Sequence, residues 1–346
     1  MTTTAPTHRP LAVHEDRTVE AIAQDRYGGP EVLQLRRIDR PTPAEDEVLV
    51  RVAAAGVDRG TWHLMTGLPY PTRAAFGLRR PKAPVPGMDV AGIVEEVGPG
   101  VTRFTEGDTV FGIGIGTWAT HARASQQKLA AVPAGLDLTA AGALAVTGST
   151  ALQAVEDHGR VTAGQRVLVL GASGGVGTYA TQIAGALGAE VTGTASTDKV
   201  DLVASLGADH VVDHRVDDPL TVTDAYDVIV DCGGNRRLRD LRRALTRTGT
   251  LVIVGGEGGG RWLGGLDRQL RAMAASIPSR QRLTTFVARE DAAHLERLAD
   301  LVEAGHVRPV VDRRFRLADA ADAVRHLASG RARGKVVLEV GSPEER

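Results

Sequence analysis

The fold of this chain follows from Val167-Leu-Val-Leu170 and, directly after it, Gly171-Ala-Ser-Gly-Gly-Val-Gly177. The apolar run predicts a buried strand, and the glycines at 171, 174, 175 and 177 predict a tight turn. Apolar residues then recur on one face of a predicted helix, at Val176, Ala180, Ile183, Ala184 and Leu187. Such a turn lets the backbone approach a pyrophosphate, and the helix N-terminus offers free N–H groups to it. The stretch therefore predicts dinucleotide binding; the alternative is a merely structural glycine turn.

Further short β-branched runs follow this stretch, with helical patterns between most of them. The strands are predicted at residues 167–170, 190–194, 210–213, 227–231 and 250–254, and helices include 198–206 and 238–246. Alternation of this kind predicts an α/β domain with a doubly wound parallel sheet.

The first part of the chain has a different pattern. Short predicted strands at 18–24, 32–37, 48–54, 90–97 and 109–112 are separated by Gly and Pro turns, which indicates a mainly antiparallel sheet or barrel. Residues 66–86 read as a long loop, and long loops in compact domains are often functional. A strand at 310–317, a helix at 318–327 and a final strand at 335–340 close the chain.

Bulk properties narrow the functional classes. A length of 346 residues predicts two domains, and a net charge of −1 gives no reason to expect a nucleic-acid partner. No apolar run is long enough to span a membrane, and residues 1–17 are polar and lack a secretory signal. We therefore expect a cytoplasmic protein with a flexible leader. Its single cysteine, Cys232, makes an internal disulfide impossible and a thiolate zinc site improbable.

The end of the second strand predicts which cofactor binds. An NAD site usually has an acid there to hold the ribose hydroxyl, but residues 193–197 contain none. Ser196 and Lys199 occupy this region instead, and His214 and Arg215 follow the next strand. A hydroxyl and cations suit a 2′-phosphate, so the sequence favours NADPH over NADH.

Several further strings, in this order, resemble the medium-chain dehydrogenase/reductase superfamily, and within it the zinc-free quinone oxidoreductase and enoyl (alkenal) reductase branch. Besides the glycine turn, they are Tyr27-Gly-Gly-Pro-Glu-Val-Leu33, Val52-Ala-Ala-Ala-Gly-Val-Asp58, Pro86-Gly-Met-Asp-Val-Ala-Gly92, Leu206-Gly-Ala-Asp-His210 and Gly334-Lys-Val-Val-Leu338. The resemblance implies a GroES-like β-barrel catalytic domain (18–144 and 308–346) and a Rossmann domain (145–307). It also implies a small-molecule substrate in the cleft, and a homodimer or tetramer formed through Rossmann edge strands.

The cofactor site is predicted from the glycine turn, from the carboxyl ends of the parallel strands, where ligands of such sheets bind, and from the resemblance. Thr147, Arg333 and Lys335 are placed there by the resemblance alone. The complete set is Thr147, Gly171, Ser173, Gly174, Gly175, Val176, Gly177, Ser196, Lys199, His214, Cys232, Gly233, Asn235, Gly255, Gly256, Arg333 and Lys335.

The resemblance also bears on metal chemistry. The catalytic Cys of the zinc alcohol dehydrogenases falls at Asp58 here, and their zinc-binding His falls at Met88. Methionine is a poor zinc ligand, and a site made of Asp58, His63 and Asp89 is a remote alternative, so we expect no metal. Without a Lewis acid, the chemistry shifts from alcohol oxidation toward reduction of quinones or activated double bonds.

The proton source and the pocket are less sharply defined. Tyr70, in the long loop, is one candidate donor; Asp58 with His63 is another, and water is a third. Without a catalytic role, Tyr70 would be a loop tyrosine packed on the surface, and Asp58 would be a buried, hydrogen-bonded structural residue. Trp62 is predicted to line the substrate pocket, and Trp262 to form the apolar tip of a glycine-rich lid at 257–265.

Three functions stay open at this point. The first is an NADPH-dependent reductase of quinones or α,β-unsaturated carbonyls. The second is a zinc-free NADP-dependent carbonyl reductase or alcohol dehydrogenase, in which Asp58 and His63 would replace the metal. The third is a non-catalytic NADPH-binding protein.

Overall fold

The protein was analysed as a computed structural model that describes residues 17–255, 260–264, 272 and 280–341. Its strands are β1 (Thr18–Ala23), β2 (Gln34–Asp39), β3 (Glu47–Val57), β4 (Asp89–Val97), β5 (Thr109–Ile113), β6 (His121–Ser125), β7 (Leu129–Ala131), β8 (Arg166–Leu170), β9 (Glu190–Ala195), β10 (His210–Asp213), β11 (Tyr226–Asp231), β12 (Leu245–Ile253), β13 (Arg282–Thr285), β14 (Val311–Arg316) and β15 (Lys335–Glu339).

The α-helices in this part of the chain are mostly short. They are α1 (Arg59–Thr66), α2 (Arg73–Phe76), α3 (Leu138–Ala141), α4 (Ala145–Leu152), α5 (Gly175–Ala186), α6 (Val200–Ser205), α7 (Leu238–Ala244), α8 (Gly260–Leu263), α9 (Ala292–Glu303) and α10 (Ala320–Ala328). A π-helical segment, Gln153–Gly159, continues α4. None of the described helices has the length and apolar character needed to cross a membrane.

Strands from both ends of the chain meet in one sheet. Its order is β14-β15-β3-β4-β5-β7, and β6 also pairs with β3. All pairings are antiparallel except β14 with β15. The buried Trp118 fixes the interior by donating its indole N–H to the carbonyl of Gly56, 3.1 Å away. The predicted barrel-like catalytic domain, built from both termini, is confirmed.

The second sheet is parallel throughout, in the order β10-β9-β8-β11-β12-β13. Five of its strands were predicted from their β-branched runs, and β13 was not. The chain leaves β8 in one direction toward β9 and β10 and later returns on the other side as β11. Ligands of doubly wound sheets bind at such a switch point, and the glycine turn follows β8 there.

A buried tyrosine joins the two domains behind the glycine turn. Tyr179 lies on α5, is fully buried, and donates its hydroxyl to the carbonyl of Ala143, 2.9 Å away. Burial, reinforced by the charge of Asp89, raises the pKa of this tyrosine well above its usual value. Tyr179 therefore stabilises the orientation of α5, whose N-terminus forms part of the site.

Two predicted element boundaries were wrong. The region 66–86 is not one irregular loop, because a 3-10 turn at Tyr70–Thr72 runs directly into α2. The predicted helix 238–246 ends at Ala244, because β12 begins at Leu245. The predicted domain limits at 144/145 and 307/308 stay predictions.

Candidate active site

The glycine turn has the geometry that its sequence predicts. Gly171 has a φ of +78°, a conformation that favours glycine, and its N–H donates to the hydroxyl of Thr194 on β9, 2.9 Å away. Gly174 caps α5, and its N–H donates to the Gly171 carbonyl at 3.0 Å. A Cβ added to Gly177 would overlap this same carbonyl oxygen. One hydrogen bond within the turn and one to the neighbouring strand β9 thus fix its conformation.

The helix start leaves donors for a ligand. The first backbone N–H groups of a helix, here those of Gly175, Val176 and Gly177, have no carbonyl one turn earlier to bind. They lie at the positive end of the helix dipole. This arrangement fits the pyrophosphate of a dinucleotide, which these N–H groups would hold.

Residues from distant parts of the chain surround the turn. The Gly334 N–H donates to the Ser173 carbonyl at 2.9 Å. A Cβ on Gly175 would lie 3.4 Å from Thr147 Cγ2 and 3.5 Å from Lys335 Cδ. The structure therefore brings Thr147 and Lys335 to the turn, beside Ser173, as the resemblance implies.

Lys335 also has a partner that the sequence did not reveal. Its ammonium lies 2.8 Å from Asp89 Oδ2, while Asp89 Oδ1 accepts the Val146 N–H at 2.6 Å. Burial raises the pKa of Asp89; the Lys335 charge opposes this effect and the Asp58 charge adds to it. Asp89, considered above only as a remote metal ligand, instead holds Lys335 beside the glycine turn.

The carboxyl ends of β8, β11 and β12 converge at this point. A Cβ on Gly171 would lie 3.5 Å from the Gly233 nitrogen, and one on Gly255 would lie 2.9 Å from the Cys232 carbonyl oxygen. Asn235 is exposed beside them, and Gly256 lies outside the described residues. Burial and the adjacent Asp231 charge raise the pKa of the Cys232 thiol, which disfavours a nucleophilic role.

Asp231 is a residue of this edge that sequence reasoning missed. It is fully buried, and its Oδ1 accepts the N–H of Gly234 at 2.9 Å. The carboxylate thereby shapes the turn after β11. An acid that ends an apolar strand and precedes two glycines is a local signal that could have identified it.

The predicted 2′-phosphate region contains cations, but an acid is among them. Burial lowers the pKa of Lys199; nearby Arg333 and Arg215 lower it further, whereas Asp198 opposes them. Arg215 forms a 3.6 Å ion pair with Asp198. The Ser196 hydroxyl donates to the same carboxylate and lowers its pKa. Asp198 directly follows residues 193–197, the stretch at the end of β9 that contains no acid.

Lys199 and His214 both donate hydrogen bonds to backbone carbonyls. The Lys199 ammonium donates to the carbonyls of Gly330 and Ala332, at 3.1 and 2.8 Å. The His214 N–H donates to the Ala195 carbonyl at 3.0 Å. Lys199 therefore also anchors the segment before β15, which sequence reasoning did not predict.

The predicted Asp58–His63 pair does not form. Asp58 is the N-cap of α1, and its carboxylate accepts the Thr61 N–H at 2.8 Å and the Thr61 hydroxyl at 3.3 Å. His63 Nδ1 lies 2.8 Å from the Leu68 carbonyl, an acceptor that requires a proton on Nδ1. The structural alternative for Asp58 therefore accounts for its position, and His63 retains Nε2 for other contacts.

Tyr70 and Trp262 meet across the two domains. Their rings are 5.1 Å apart in an edge-on arrangement, and the Arg73 guanidinium lies 4.9 Å from the Tyr70 ring. Trp262, on α8, is nevertheless 73% exposed. Trp62 packs against the hydrophobic core of the barrel instead. Tyr70 thus contacts Trp262, whereas Trp62 is partly buried against the barrel core.

A cavity of about 520 Å³ opens beside these elements. Apolar residues dominate its walls, including Leu64, Met65, Val85, Met88, Ile113 and Ile115. Met88 also packs against the core that contains α5, and its chain neighbour Asp89 contacts Lys335. This volume is typical of a small-molecule pocket. Neither predicted pocket tryptophan is among its lining residues.

Metal-ligating side chains do not converge in this region. Within the described residues, no group of three or more His, Cys, Asp and Glu side chains could hold a metal ion. Asp58 is engaged as a helix cap, and Met88 lies near it at the position where a zinc-binding histidine would be expected.

Comparison with known proteins defines the class. The family model for the alcohol dehydrogenase GroES-like domain matches residues 44–145, and that for zinc-binding dehydrogenase matches residues 206–338. The quinone oxidoreductase of Lama guanicoe is 33% identical over 338 residues, covering 93% of this chain and 98% of that protein.

Solved structures give the same result. A structure described as an NAD-dependent alcohol dehydrogenase has a TM-score of 0.80 at 30% identity, covering 93% of this chain and all of the other. A mycobacterial protein solved in complex with NADPH has a TM-score of 0.78 at 28% identity, covering 92% and 99%.

The fold and the site thus define a two-domain oxidoreductase with a nucleotide-binding domain. The chain belongs to the medium-chain dehydrogenase/reductase superfamily, as a quinone oxidoreductase-like enzyme.

Proposed function

We propose that this enzyme is a zinc-independent, NADPH-dependent reductase that transfers hydride to a quinone or an α,β-unsaturated carbonyl compound. The observation that carries the proposal is the apolar cavity, whose wall includes Met88, the chain neighbour of the Asp89 that pairs with Lys335 beside the glycine turn. The relative from Lama guanicoe, described as a quinone oxidoreductase, supports the same substrate class.

The cofactor part of the proposal depends on charge. The positive charges of Arg215 and Arg333 contribute to the lowered pKa of Lys199, so three cations act on the region at the end of β9. A 2′-phosphate would attract all three, whereas the ribose of NADH would gain nothing from them. Asp198 weakens this preference, because it already pairs with Arg215 and accepts from Ser196.

The residues of the turn would hold the cofactor by its pyrophosphate, with the N–H groups of Gly175, Val176 and Gly177 as donors. Bound NADPH supplies the hydride. The apolar wall that includes Met88 and Ile113 would contact an apolar acceptor. The Tyr70 hydroxyl and water stay candidate proton donors. His63 could donate from Nε2 only in its doubly protonated form, because the proton on Nδ1 is directed at the Leu68 carbonyl. Asp58 would have to act while its carboxylate caps α1.

A second candidate is a zinc-free carbonyl reductase or alcohol dehydrogenase. The similarity to the structure described as an NAD-dependent alcohol dehydrogenase favours it. Its chemistry requires a group that polarises the carbonyl in place of a metal, and the Asp58–His63 pair proposed for that task is not formed.

An assay of cofactor consumption tests both candidates. The purified protein would be given NADPH or NADH with a quinone, an enone, an aldehyde or a ketone, with and without a chelator. We expect turnover of the quinone or the enone, a preference for NADPH, and no effect of the chelator. Turnover confined to the aldehyde and ketone would favour the second candidate, and loss of activity on chelation would contradict zinc independence.

We also propose that the protein forms a homodimer or tetramer through the Rossmann sheet. Strand β13 is the last strand of that sheet, so its outer edge pairs with no other described strand. Light scattering on the purified chain would test this, and a monomer at all concentrations would contradict it. The cytoplasmic location stays a prediction.

A further inference from the structure

One segment of the catalytic domain carries positive charge and no negative charge. Between Asp58 and Asp89 the sequence contains no Asp or Glu, although the whole chain has a net charge of −1. The cations in this stretch are Arg59, Arg73, Arg79, Arg80 and Lys82. The last three lie within residues 76–82, here called the basic tip, so positive charge is concentrated there.

The basic tip also exposes two apolar side chains. Phe76 is 48% exposed and Leu78 is 74% exposed. The three cations of the tip, Arg79, Arg80 and Lys82, are exposed as well. Single exposed apolar residues are common on protein surfaces. Two of them beside three cations form a surface that is both apolar and basic.

Hydrogen bonds fix the conformation of the basic tip. The backbone N–H of Lys82 donates to the Phe76 carbonyl at 2.9 Å, and the Tyr27 hydroxyl donates to the Gly77 carbonyl at 2.6 Å. Gly77 has a φ of +122°, and a Cβ there would overlap the Arg80 carbonyl oxygen. The exposed side chains therefore extend from a closed turn that Tyr27 holds at its base.

The arginines of the tip have charge available for a partner. Within the described part of the chain, neither Arg79 nor Arg80 forms a hydrogen bond or an ion pair. Asp25 is the acid whose pKa Arg80 lowers, but its carboxylate is already bound by Arg36 at 2.9 and 2.6 Å. Arg36 is the largest cause of the lowered pKa of Asp25, and Arg80 is the smallest.

Part of the basic tip belongs to the wall of the apolar cavity. Phe76, Pro81 and Lys82 line this cavity, together with Ile115, which is 55% exposed. Three acids line it too, and each has a partner: Glu47 pairs with Arg123, Glu290 pairs with Lys128, and Asp46 accepts from Ser125. A partner bound on the tip would therefore lie beside the cavity.

A lipid bilayer with acidic headgroups matches this surface. Lys and Arg near such a bilayer are attracted to the headgroups, and adjacent apolar side chains enter the acyl boundary. A nucleic acid would also attract the cations, but its phosphate backbone would offer Leu78 no apolar contact.

We propose that the basic tip docks the enzyme on the surface of a bilayer that contains anionic lipids. Phe76 and Leu78 insert into it, and Arg79, Arg80 and Lys82 contact the headgroups. The contact is peripheral, and it brings one wall of the cavity to the bilayer surface.

Vesicle flotation tests this inference on the purified full chain, without cofactor or substrate. Phosphatidylcholine vesicles with about 30 mol% phosphatidylserine are compared with pure phosphatidylcholine vesicles. We expect at least about tenfold stronger binding to the anionic vesicles, and loss of that binding when NaCl rises from about 0.1 M to about 0.5 M. Equal binding to both vesicles, or no binding to the anionic ones, would overturn the inference even if no variant folds.

The cations are tested by the double variant Arg79→Gln/Arg80→Gln. We expect its partition coefficient on the anionic vesicles to fall by about 10- to 30-fold. The matched control is Arg247→Gln/Arg313→Gln, which changes the net charge by the same amount at exposed positions on β12 and β14. This control should bind like the wild type, and an equal loss in both double variants would contradict docking through the tip.

The apolar part is tested by Leu78→Ser, which should weaken binding to the anionic vesicles by about 3- to 10-fold. Val216→Ser is its control, because Val216 is 77% exposed but is followed by two aspartates, and it should bind like the wild type. Unchanged binding of Leu78→Ser would contradict insertion.

A nucleic acid is the alternative partner, and polyuridylate is its probe. Binding of polyuridylate that requires Arg79 and Arg80, without binding to anionic vesicles, would overturn the bilayer inference. Because no reaction is measured in these experiments, their outcome is separate from that of the proposed reductase function.

Discussion

Lys335 and Asp89 form an ion pair of 2.8 Å that is closed to solvent, with exposed fractions of 2% and 0%. The pair joins the start of β15 to the start of β4, and the Lys335 side chain passes Gly175 at the glycine turn. The two residues are 246 positions apart in the chain. This pair therefore joins two strands of the barrel, β15 and β4, at a point beside the cofactor-binding turn.

Removing one member of this pair should be more harmful than removing both. Lys335→Met would leave the Asp89 carboxylate buried without its cation, and we expect a loss of about 3–5 kcal/mol in the free energy of unfolding. The double variant with Asp89→Asn should recover much of that loss, because the amide can still accept from Val146. Urea unfolding measures both variants.

The control for this experiment is an exposed pair, Arg325 with Asp322. Arg325→Met should cost less than about 1 kcal/mol. A loss of similar size for Lys335→Met, or a double variant no more stable than the single one, would contradict the role of the buried pair.

The glycine turn provides a second prediction. In Gly177→Ala, the new Cβ would overlap the Gly171 carbonyl oxygen, so the turn must shift away from the cofactor-binding geometry. We expect the Kd for NADPH to rise at least about tenfold, since the N–H groups of α5 would no longer converge on the pyrophosphate. Titration of the purified variant with NADPH measures this.

Gly185→Ala, on the same helix, is the matched control. Its added Cβ would have only the Gly207 carbonyl oxygen nearby, at 3.8 Å, which is an ordinary contact. Alanine near the C-terminal end of α5 should stabilise the fold by up to about 0.5–1 kcal/mol and leave NADPH binding unchanged. Equal affinities for both variants would show that the close approach at Gly177 is unimportant.

Features encoded in short stretches could be predicted from the sequence. The strand, the glycine turn and α5 are contiguous, and each further parallel strand except β13 has its own β-branched run. β13 was missed because Arg282-Leu-Thr-Thr285 contains one aliphatic residue and acquires its strand character by pairing with β12. Tertiary pairing overrides weak local preference in such cases.

Side-chain partners could be predicted less well. Asp58 was interpreted chemically, although an aspartate three residues before Thr61 at a helix start is a capping pattern that could have been recognised. Lys335 was placed at the cofactor by resemblance alone, and its partner Asp89 gives no local signal.

The cation cluster at β9 provides a third prediction. Arg215→Ala should raise the KM for NADPH by about tenfold and leave that for NADH unchanged, because only the 2′-phosphate would contact the guanidinium. Asp198→Asn should have the opposite effect on NADPH, since it releases both Arg215 and the Ser196 hydroxyl. Steady-state kinetics with both cofactors measures the two variants.

Lys199→Ala is a less specific probe of the same cluster. It would also remove the hydrogen bonds to Gly330 and Ala332, so lost affinity could arise from a displaced segment. A parallel change in the KM values of NADPH and NADH for Arg215→Ala would contradict recognition of the 2′-phosphate at this position.

The fourth prediction concerns pH and the contact between α9 and the π-helical segment. His294 Nδ1 lies 2.7 Å from Asp291, and its Nε2 lies 3.0 Å from Asp157. Burial alone would lower the pKa of His294, but the two carboxylates outweigh it and raise this pKa above the ordinary value of 6.5. A raised folded-state pKa means that the protonated histidine stabilises the native state.

That stabilisation is fully present below pH 6.5, the pKa of the unfolded chain, and is lost as pH rises through the higher folded-state pKa. Between these limits the wild type should lose more stability than His294→Gln, which cannot be protonated. Asp157→Asn removes one of the two carboxylates and should give an intermediate slope. Urea unfolding at several pH values across this window measures all three proteins. Parallel curves for the wild type and His294→Gln would show that this histidine does not couple folding to pH, whereas converging curves at high pH would establish that it does.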